Sequence, residues 1–321
     1  MINNDILFRD VLIRLADQEQ PFPGKYLQYF TDLAEDQAGL FADTWKELST
    51  TKRISILEDL EELSEHDTLM DFSAVGKIAL DDHDNVVRET ALRLLWECED
   101  KSFVSTVIEL LEKDPAGRVR SLAASMMGRF VYMGETDDLP EKLNDRVIDT
   151  LLKAHKSDTD KTVRRRALES LGYSCREEIP QLIKHAMTLD DKEWLASSLY
   201  AMGRSADASW AEIVQKHLSH PEEDVREEAV RAAGELELSQ TRETLLDLLV
   251  NEESDDILAA AIWSLSQIGG EGVREAITKQ AENVEDEELL EFIEEALDNL
   301  NFTEELSHFE LIDIEGDDPD E

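Results

Sequence analysis

The stretch Asp224–Leu236 reads DVREEAVRAAGEL, and its spacing decides the fold. An acidic residue precedes Val225 and Arg226. Small or apolar residues follow four, five and eight positions after Val225, and Gly234 comes nine positions after it. Positions 0, 4, 5 and 8 lie on one face of an α-helix. The stretch therefore predicts an amphipathic helix that begins just after an acidic turn.

This pattern recurs seven times along the chain. The anchor residues that correspond to Val225 are Val87, Val119, Val163, Trp194, Val225, Ile257 and Leu289, which lie 32, 44, 31, 31, 32 and 32 residues apart. A second amphipathic stretch precedes the pattern, for example SFVSTVIELLEK from Ser102 and TRETLLDLLV from Thr241. Each unit is predicted to be helix A, an acidic turn and helix B. One such pair cannot bury its apolar stripe alone, so the units are expected to stack into one core.

Two features of the repeat carry further expectations. A turn carboxylate can cap the free N–H groups of helix B and interacts favourably with the positive end of its dipole. The residues expected in this role are Asp84, Asp160, Asp224 and Asp256. Small side chains four positions after the anchor are expected to let neighbouring helices approach closely; they are Ala91, Ala123, Ala167, Ala229 and Ala261.

The repeat resembles HEAT repeats, and specifically the short variety found in phycobilisome-lyase-like HEAT proteins. The resemblance covers roughly residues 70–300. It rests on the pairs Val87–Arg88, Val119–Arg120, Val163–Arg164 and Val225–Arg226, and on glycines 128, 172, 203 and 234. It implies an all-α solenoid in which helix B lines the concave surface. The arginines of the pairs are then expected to bond turn acids of neighbouring units.

The domain organisation predicted from the sequence has three parts. Residues 1–66 form an irregular helical N-terminal cap, residues 67–300 form an array of about seven short helix pairs, and residues 301–321 form an acidic tail. The one long spacing places about a dozen extra residues in VYMGETDDLPEKLND, residues 131–145, which is predicted to be a protruding loop. Whether this insertion or the tail takes part in binding stays open.

The net charge of −43 narrows the range of partners. Residues 1–117 contain 11 Lys and Arg against 26 Asp and Glu, residues 118–204 contain 15 against 14, and residues 205–321 contain 6 against 35. Nucleic acids and anionic membranes are bound mainly through Lys and Arg, so we expect neither as a partner. Basic proteins or peptides would be attracted by the long-range field.

Other features of the sequence indicate no catalytic or metal-binding site and suggest a cytoplasmic location. The two cysteines, Cys98 and Cys175, form no CxxC pair, and MINNDILFRD has no basic leader followed by an apolar stretch. No phosphate-binding, nucleophile-elbow or metalloprotease motif occurs. His217 and His220 are three residues apart, but no further strong ligand clusters near them in sequence, so no metal or other cofactor is expected.

The function predicted is that of a non-catalytic scaffold or adaptor that binds another protein or peptide. Positions +6 and +10 from each anchor point away from the apolar stripe, and Arg, Tyr and Trp there are typical of binding hot spots. The candidates are Arg93, Arg129, Tyr173, Tyr200, Arg204, Arg231 and Trp263. Alternatively, these aromatic rings tuck between helices and the arginines pair with nearby glutamates. The sequence does not indicate the partner, the process or the oligomeric state.

One enzymatic alternative follows from the resemblance. Phycobilin lyases use the same short repeats to hold a bilin and its acceptor protein. The chain is therefore alternatively a bilin lyase-like or chaperone-type cofactor-attachment protein. The HEAT enzymes that bind two irons use repeated His-Glu pairs, and this sequence contains no His-Glu dipeptide.

Overall fold

The computed structural model describes residues 2–98, 100–282, 284 and 286–315, with side chains described from Phe8 to Glu305 within those ranges. These residues form seventeen α-helices and three short 3-10 segments, at Gly24–Phe30, Ala208–Trp210 and Ser239–Thr241, and they contain no strand. The prediction of an all-α solenoid is confirmed.

The helices alternate as the repeat predicts. Three helices come first: α1 (Ile2–Ala16), α2 (Glu35–Trp45) and α3 (Thr50–His66). The A helices are α4 (Ser73–Ala79), α6 (Phe103–Lys113), α8 (Glu141–Ser157), α10 (Ile179–Met187), α12 (Ala211–His217), α14 (Arg242–Asn251) and α16 (Val273–Ala281). The B helices are α5 (Asn85–Leu94), α7 (Gly117–Glu135), α9 (Lys161–Leu171), α11 (Lys192–Arg204), α13 (Glu223–Glu235), α15 (Asp255–Ile268) and α17 (Glu287–Glu315). The described residues thus contain the seven expected helix pairs.

The chain divides into two compact units. The first unit comprises residues 1–130 and 139–167, and the second comprises residues 131–138 and 168–321. In the second unit, α11 packs on α13, α13 on α15 and α15 on α17, so its B helices lie side by side. In the first unit, α3 packs on α5 and α6 on α8.

The apolar stripe of helix B forms the core as predicted. In α5 the residues at positions 0, 4, 5 and 8, which are Val87, Ala91, Leu92 and Leu95, are almost completely buried. Six of the seven anchors are buried in the same way. The seventh, Leu289, is exposed, so its assignment was wrong. The last helix instead buries Ile293, Ala296 and Leu300, along a stripe that begins one turn later.

The turn acids have two different roles. Asp84 and Asp160 accept hydrogen bonds from the backbone N–H groups two residues later, both at 2.8 Å, as a cap does. Asp224 and Asp256 lie inside the first turns of α13 and α15 and not at the N-cap. The expectation of a capping position was wrong for these two, although an acid in the first turn still meets the positive end of the helix dipole.

The arginines of the Val–Arg pairs link each helix pair to the next one, as expected from the sequence. The Arg88 guanidinium donates to both oxygens of Asp114 at 2.7 and 2.8 Å, and its third bond goes to the Asp82 carbonyl at 2.8 Å. Arg120 repeats this geometry with Asp158 at 2.8 and 2.9 Å and with the Asp114 carbonyl. We call this set of interactions the arginine ladder.

The second unit contains the same interaction. Arg226 donates to both carboxylate oxygens of Glu252 at 3.1 Å and to the His220 carbonyl at 2.9 Å. Each arginine therefore donates hydrogen bonds to a carboxylate in the next acidic turn and to a backbone carbonyl in the turn that precedes its own helix. The planar, bidentate geometry of the guanidinium suits this double role.

The ladder also includes α3, inside the N-terminal segment. Arg53 is the fourth residue of α3, as Arg88 is of α5, and its guanidinium is bonded to the buried carboxylate of Asp82. Ile56, Leu57 and Leu60 are buried, and they occupy positions 4, 5 and 8 of the same pattern. Lys52 replaces the anchor valine, which explains why the sequence pattern did not reveal this relationship.

An aromatic cluster closes the N-terminal end of the first unit. The ring of Phe30, in the 3-10 segment, lies 6.3 Å from that of Phe8 on α1 and 5.1 Å from that of Phe41 on α2. All three side chains are buried. The cluster gives the first helices a core of their own, as a cap requires.

The long spacing between Val119 and Val163 does not produce the predicted protruding loop. Helix α7 continues to Glu135 and α8 begins at Glu141, so the connection contains only residues 136–140. The extra residues lengthen both helices: α7 continues past the buried Val131, and Pro140 is the N-cap residue of α8. Asp137, with φ of 63°, makes the turn.

The C-terminal segment is also more helical than expected. Helix α17 runs on to Glu315, through most of the segment predicted to be an acidic tail. Residues 316–321 lie outside the described part of the chain.

Glycines mark the closest approach of B helices in the second unit. A Cβ added to Gly172 would lie 2.6 Å from the carbonyl oxygen of Ala201, and one added to Gly234 would lie 2.6 Å from Cα of Ser264. At Gly203 the distance to Cα of Ala232 would be 3.1 Å. All three are nine positions after an anchor, so the glycine of the repeat is the contact point between neighbouring B helices.

We expect Gly172→Ala to lower the free energy of unfolding by about 1–3 kcal/mol, because the backbone of α11 leaves no room for a methyl group. Gly39→Ala is the control: no atom lies within 4 Å of the added Cβ, and α2 should gain about 0.5–1 kcal/mol. Urea unfolding followed by circular dichroism measures both. A Gly172→Ala variant as stable as the wild type would contradict the close approach.

The ladder predicts a specific pH dependence. Hydrogen bonds from Arg226 lower the pKa of Glu252, so this carboxylate stabilises the folded state above the pKa of an unfolded Glu, about 4.3, and the contribution disappears as pH falls through the folded value. Glu252→Gln should cost roughly 1–2 kcal/mol at pH 7 and progressively less toward pH 3. The control is Glu271→Gln, which changes an exposed residue. A constant difference between wild type and Glu252→Gln over this pH range would exclude the linkage.

Candidate protein-binding surface

Five aromatic residues of the second unit lie on the faces of the B helices that point away from the apolar core. Positions +6, +10 and +13 from an anchor are successive turns of one helix face. Tyr200 and Trp263 are at +6, Tyr173 is at +10 and Tyr132 is at +13. Phe302 lies on the face of α17 opposite the buried Ile293, Ala296 and Leu300. We call these five residues the aromatic stripe.

Arg204 connects the middle of the stripe. Its guanidinium carbon lies 5.0 Å from the centre of the Tyr200 ring and 5.5 Å from that of Tyr173. Its Nη1 is 2.5 Å from Oε1 of Glu235, on the neighbouring helix α13. The Tyr132 ring meets the Tyr173 ring edge-on at 5.9 Å. Side chains from four successive B helices therefore form one connected cluster.

The protonation states of Tyr173 and Arg204 in the cluster do not change near neutral pH. Burial raises the pKa of Tyr173 to about 12, so its hydroxyl stays neutral and remains a hydrogen-bond donor at any physiological pH. Burial acts to lower the pKa of Arg204, but the oxygens of Tyr200 and Glu235 outweigh it and the pKa rises. Arg204 therefore stays protonated. Glu235 compensates its positive charge, and the guanidinium lies next to the Tyr173 and Tyr200 rings. Cation–π contacts of this kind strengthen when they are partly desolvated.

The two ends of the stripe are open to solvent. Tyr132 is 55% exposed, Trp263 is 39% exposed and Phe302 is 61% exposed. The Trp263 ring also contacts Phe292 of α17, with ring centres 6.2 Å apart. Aromatic side chains are enriched at the hot spots of protein interfaces. The stripe therefore combines a fixed centre with accessible ends.

The arginine candidates from the sequence are bound to acids, as the alternative interpretation held. Arg93 bonds Glu61 at 2.9 Å, Arg231 bonds Glu227 of its own helix at 2.7 Å, and Arg204 pairs with Glu235. Arg129 donates to the Trp96 carbonyl at 2.9 Å. Of the aromatic candidates, Tyr173 and Tyr200 are half-buried, whereas Trp263 faces solvent.

Two observations differ from the expectation that positions +6 and +10 face solvent and carry the candidate residues. Glu169, at +6 on α9, is buried and accepts a hydrogen bond from the Ser197 hydroxyl at 2.6 Å, so it does not face solvent. Tyr132 was missed because only positions +6 and +10 were considered, although +13 lies one further turn along the same face. Phe302 was missed because the anchor of its helix was assigned to the exposed Leu289.

No cation site accompanies this surface in the part of the chain that the structure describes. His217 is buried and its Nδ1 lies 2.7 Å from the Ile213 carbonyl, while His220 Nδ1 accepts from the Glu222 N–H. Among the described residues, no three His, Cys, Asp or Glu side chains come together as metal ligands. Nor does any described helix have both the length and the apolar composition of a membrane span.

The alternating helices and the arginine ladder define a helical-repeat protein, and its B helices present an aromatic stripe. Its sequence matches the family of HEAT repeats over residues 73–172 and 210–298, which is more than half of the chain. The chain belongs to the HEAT-repeat family. No curated protein matches its sequence.

Solved structures with the same kind of fold are distant in sequence. YibA of Escherichia coli is 17% identical, with 84% of this chain and 98% of that chain covered and a TM-score of 0.39. The CpcE–CpcF complex of phycocyanin lyase from Nostoc sp. PCC7120 is 19% identical, with 71% and 94% covered and a TM-score of 0.47. Kap95p, in a structure on its binding to RanGDP, is 12% identical, with 92% and 46% covered and a TM-score of 0.45. These likenesses concern the fold alone.

Arg204 and Arg231 provide a direct test of the connected cluster. Arg204→Ala should lower the free energy of unfolding by about 1.5–3 kcal/mol, because it leaves Glu235 and two stacked rings without their cation. Arg231→Ala removes a more exposed pair within one helix and should cost only about 0.3–0.5 kcal/mol. Urea midpoints of the two variants, each compared with the wild type, give the difference. Equal effects would show that Arg204 is not integrated into the cluster.

Proposed function

We propose that the chain is a non-catalytic scaffold or adaptor that binds a protein partner through the aromatic stripe of its second unit. One observation carries this proposal. Three exposed aromatic side chains, Tyr132, Trp263 and Phe302, share the helix face of a half-buried Tyr–Arg–Tyr cluster. Tyr, Trp and Arg dominate the energetics of protein interfaces, and rigid side chains lose little entropy on binding.

The neighbouring helices supply no comparable surface. The exposed large apolar residues on the A helices of the second unit are aliphatic, such as Val250 on α14, and Leu189 lies just after α10. Single exposed aliphatic side chains are ordinary on protein surfaces. The B-helix face is therefore the more favourable place for a partner, in keeping with the role of helix B in this class of repeat.

The chemistry of the surface supports binding rather than catalysis. Arg204 and Tyr173 are held in fixed protonation states, so neither is poised to exchange protons near neutral pH. We propose a cytoplasmic location and a protein partner rather than a nucleic acid, on the basis of the net charge of −43 and the cysteine content. A bilin lyase-like activity is the alternative, and an absorption shift of added bilin on mixing with the purified chain would favour it.

Replacing the exposed aromatic residues should weaken the binding of the partner. The partner is first obtained as the chain that co-purifies with the intact protein from its source. Tyr132→Ser combined with Trp263→Ser should then weaken its binding by at least about tenfold, the effect of one hot spot of about 1.4 kcal/mol or more. Isothermal titration calorimetry with the purified partner is the measurement.

Val250→Ser is the matched control, since Val250 is 76% exposed and lies on an A helix of the same unit. It should bind the partner as the wild type does. Normal binding by the double variant, or an equal loss in the control, would contradict the proposed surface. Mass spectrometry of the mixture should show both chains with unchanged masses, and a covalent adduct would contradict the non-catalytic role.

A further inference from the structure

The first unit contains a cleft that the proposed function does not use. Its volume is about 920 Å³, and it lies against the last turns of α3 and α5, the loop after α3, and α4. Cavities of roughly 300–1,000 Å³ are the usual size for binding sites of drug-sized ligands. The cleft is therefore large enough for more than one side chain of a partner.

One wall of the cleft is apolar and partly open. Trp96 is 41% exposed, and Met70, Phe72 and Leu94 line the cleft with it. An indole ring that faces solvent offers a surface on which a cation or an aliphatic chain can stack. Trp96 is also the one exposed aromatic side chain of the first unit among the residues described.

Both cations in the cleft are already neutralised. Lys77 Nζ is 2.6 Å from Asp100, and this bond is the main cause that lowers the pKa of Asp100 to about 2. Arg93 Nε is 2.9 and 3.1 Å from the two oxygens of Glu61. Neither cation is therefore available to neutralise an anionic ligand.

Three further carboxylates line the cleft: Glu65, Asp71 and Glu97. The Glu97 side chain is 86% exposed and makes only a 3.6 Å approach to Arg129. With two cations against five carboxylates, the lining has a net charge of −3. The cleft is therefore electrostatically suited to a cation and repels an anion.

Helix geometry adds a second source of negative potential. Helix α3 ends at His66 and α5 ends at Leu94, and the last turns of both helices border the cleft. The C-terminal end of a helix carries partial negative charge. This partial charge favours a guanidinium or ammonium group in the cleft.

We propose that this cleft binds an Arg or Lys side chain, together with an adjacent apolar residue, from a basic segment of a partner protein. The cationic head lies among Glu65, Asp71 and Glu97, and the aliphatic stem lies against Trp96. The apolar wall and the volume favour a peptide segment over a small free cation, and the negative lining excludes a nucleic acid. This site is independent of the aromatic stripe, which lies in the second unit.

The test uses the intact chain and a short fluorescent peptide of alternating Arg and Leu, followed by fluorescence anisotropy. Saturable binding is expected. The triple variant Glu65→Gln, Asp71→Asn, Glu97→Gln should weaken it by about tenfold or more, since three ion pairs of about 0.5 kcal/mol each are lost. Trp96→Ser should weaken it by about threefold or more, whereas Trp96→Phe should largely restore it because the ring remains.

A second triple variant controls for the effect of the protein's net charge on peptide binding. Glu47→Gln, Asp81→Asn and Glu141→Gln change the net charge equally and alter exposed residues of the same unit that lie outside the cleft. This variant should bind the Arg-Leu peptide like the wild type. The corresponding citrulline-Leu peptide, which has no charge, should not bind.

Three results would overturn the proposal. These are no saturable binding of the Arg-Leu peptide, equal losses in the two triple variants, and competition by spermidine at concentrations as low as the peptide itself requires. The last result would assign the cleft to a small cation. None of them bears on the aromatic stripe, because partner binding through Tyr132 and Trp263 is measured separately with the co-purifying chain.

Discussion

The bond between an arginine near the start of one B helix and a carboxylate in the next acidic turn fixes the register of the array. A buried ion pair contributes little net stability, but breaking it is costly because one charge is then left buried and unpaired, so a shifted register is penalised. Here the same carboxylate also shapes its own turn. Asp114 accepts from the Ala116 N–H at 2.8 Å, and Asp82 accepts from the Asp84 N–H at 2.9 Å. Turn conformation and neighbour placement are therefore coupled through one side chain.

Within that register, small residues decide how closely B helices approach, and the approach decides which side chains meet. Glycines at 172, 203 and 234 bring neighbouring backbones nearly into contact in the second unit. Arg204 reaches the Tyr173 ring of the preceding repeat and Glu235 on the next B helix across these close approaches. The aromatic stripe is thus a consequence of the repeat spacing, and substitutions at the glycines would disturb it without touching an aromatic residue.

Much of the fold was predictable because the repeat sets helix period, pair number and buried face. The failures occur where tertiary packing overrides that pattern. Lys52 concealed the relation of α3 to the other B helices, and Leu289 is exposed because the buried stripe of α17 begins one turn later, at Ile293. Glu169 occupies a surface position of the pattern but is buried, because Ser197 provides a hydrogen-bond partner. For the candidate surface, the sequence indicated the helix face on which Tyr173, Tyr200 and Trp263 lie, but it could not show that most of the arginines were already paired.

Binding of a protein partner to the B-helix face of the second unit can be detected by hydroxyl-radical footprinting of the complex. The chain is oxidised alone and with its co-purified partner, and side-chain modification is read by mass spectrometry. The account predicts that Tyr132, Trp263 and Phe302 become protected, whereas Leu189 and Val250, which lie off the B helices, are modified equally in both samples. Protection of Leu189 and Val250 with unchanged modification of the three aromatic residues would contradict it.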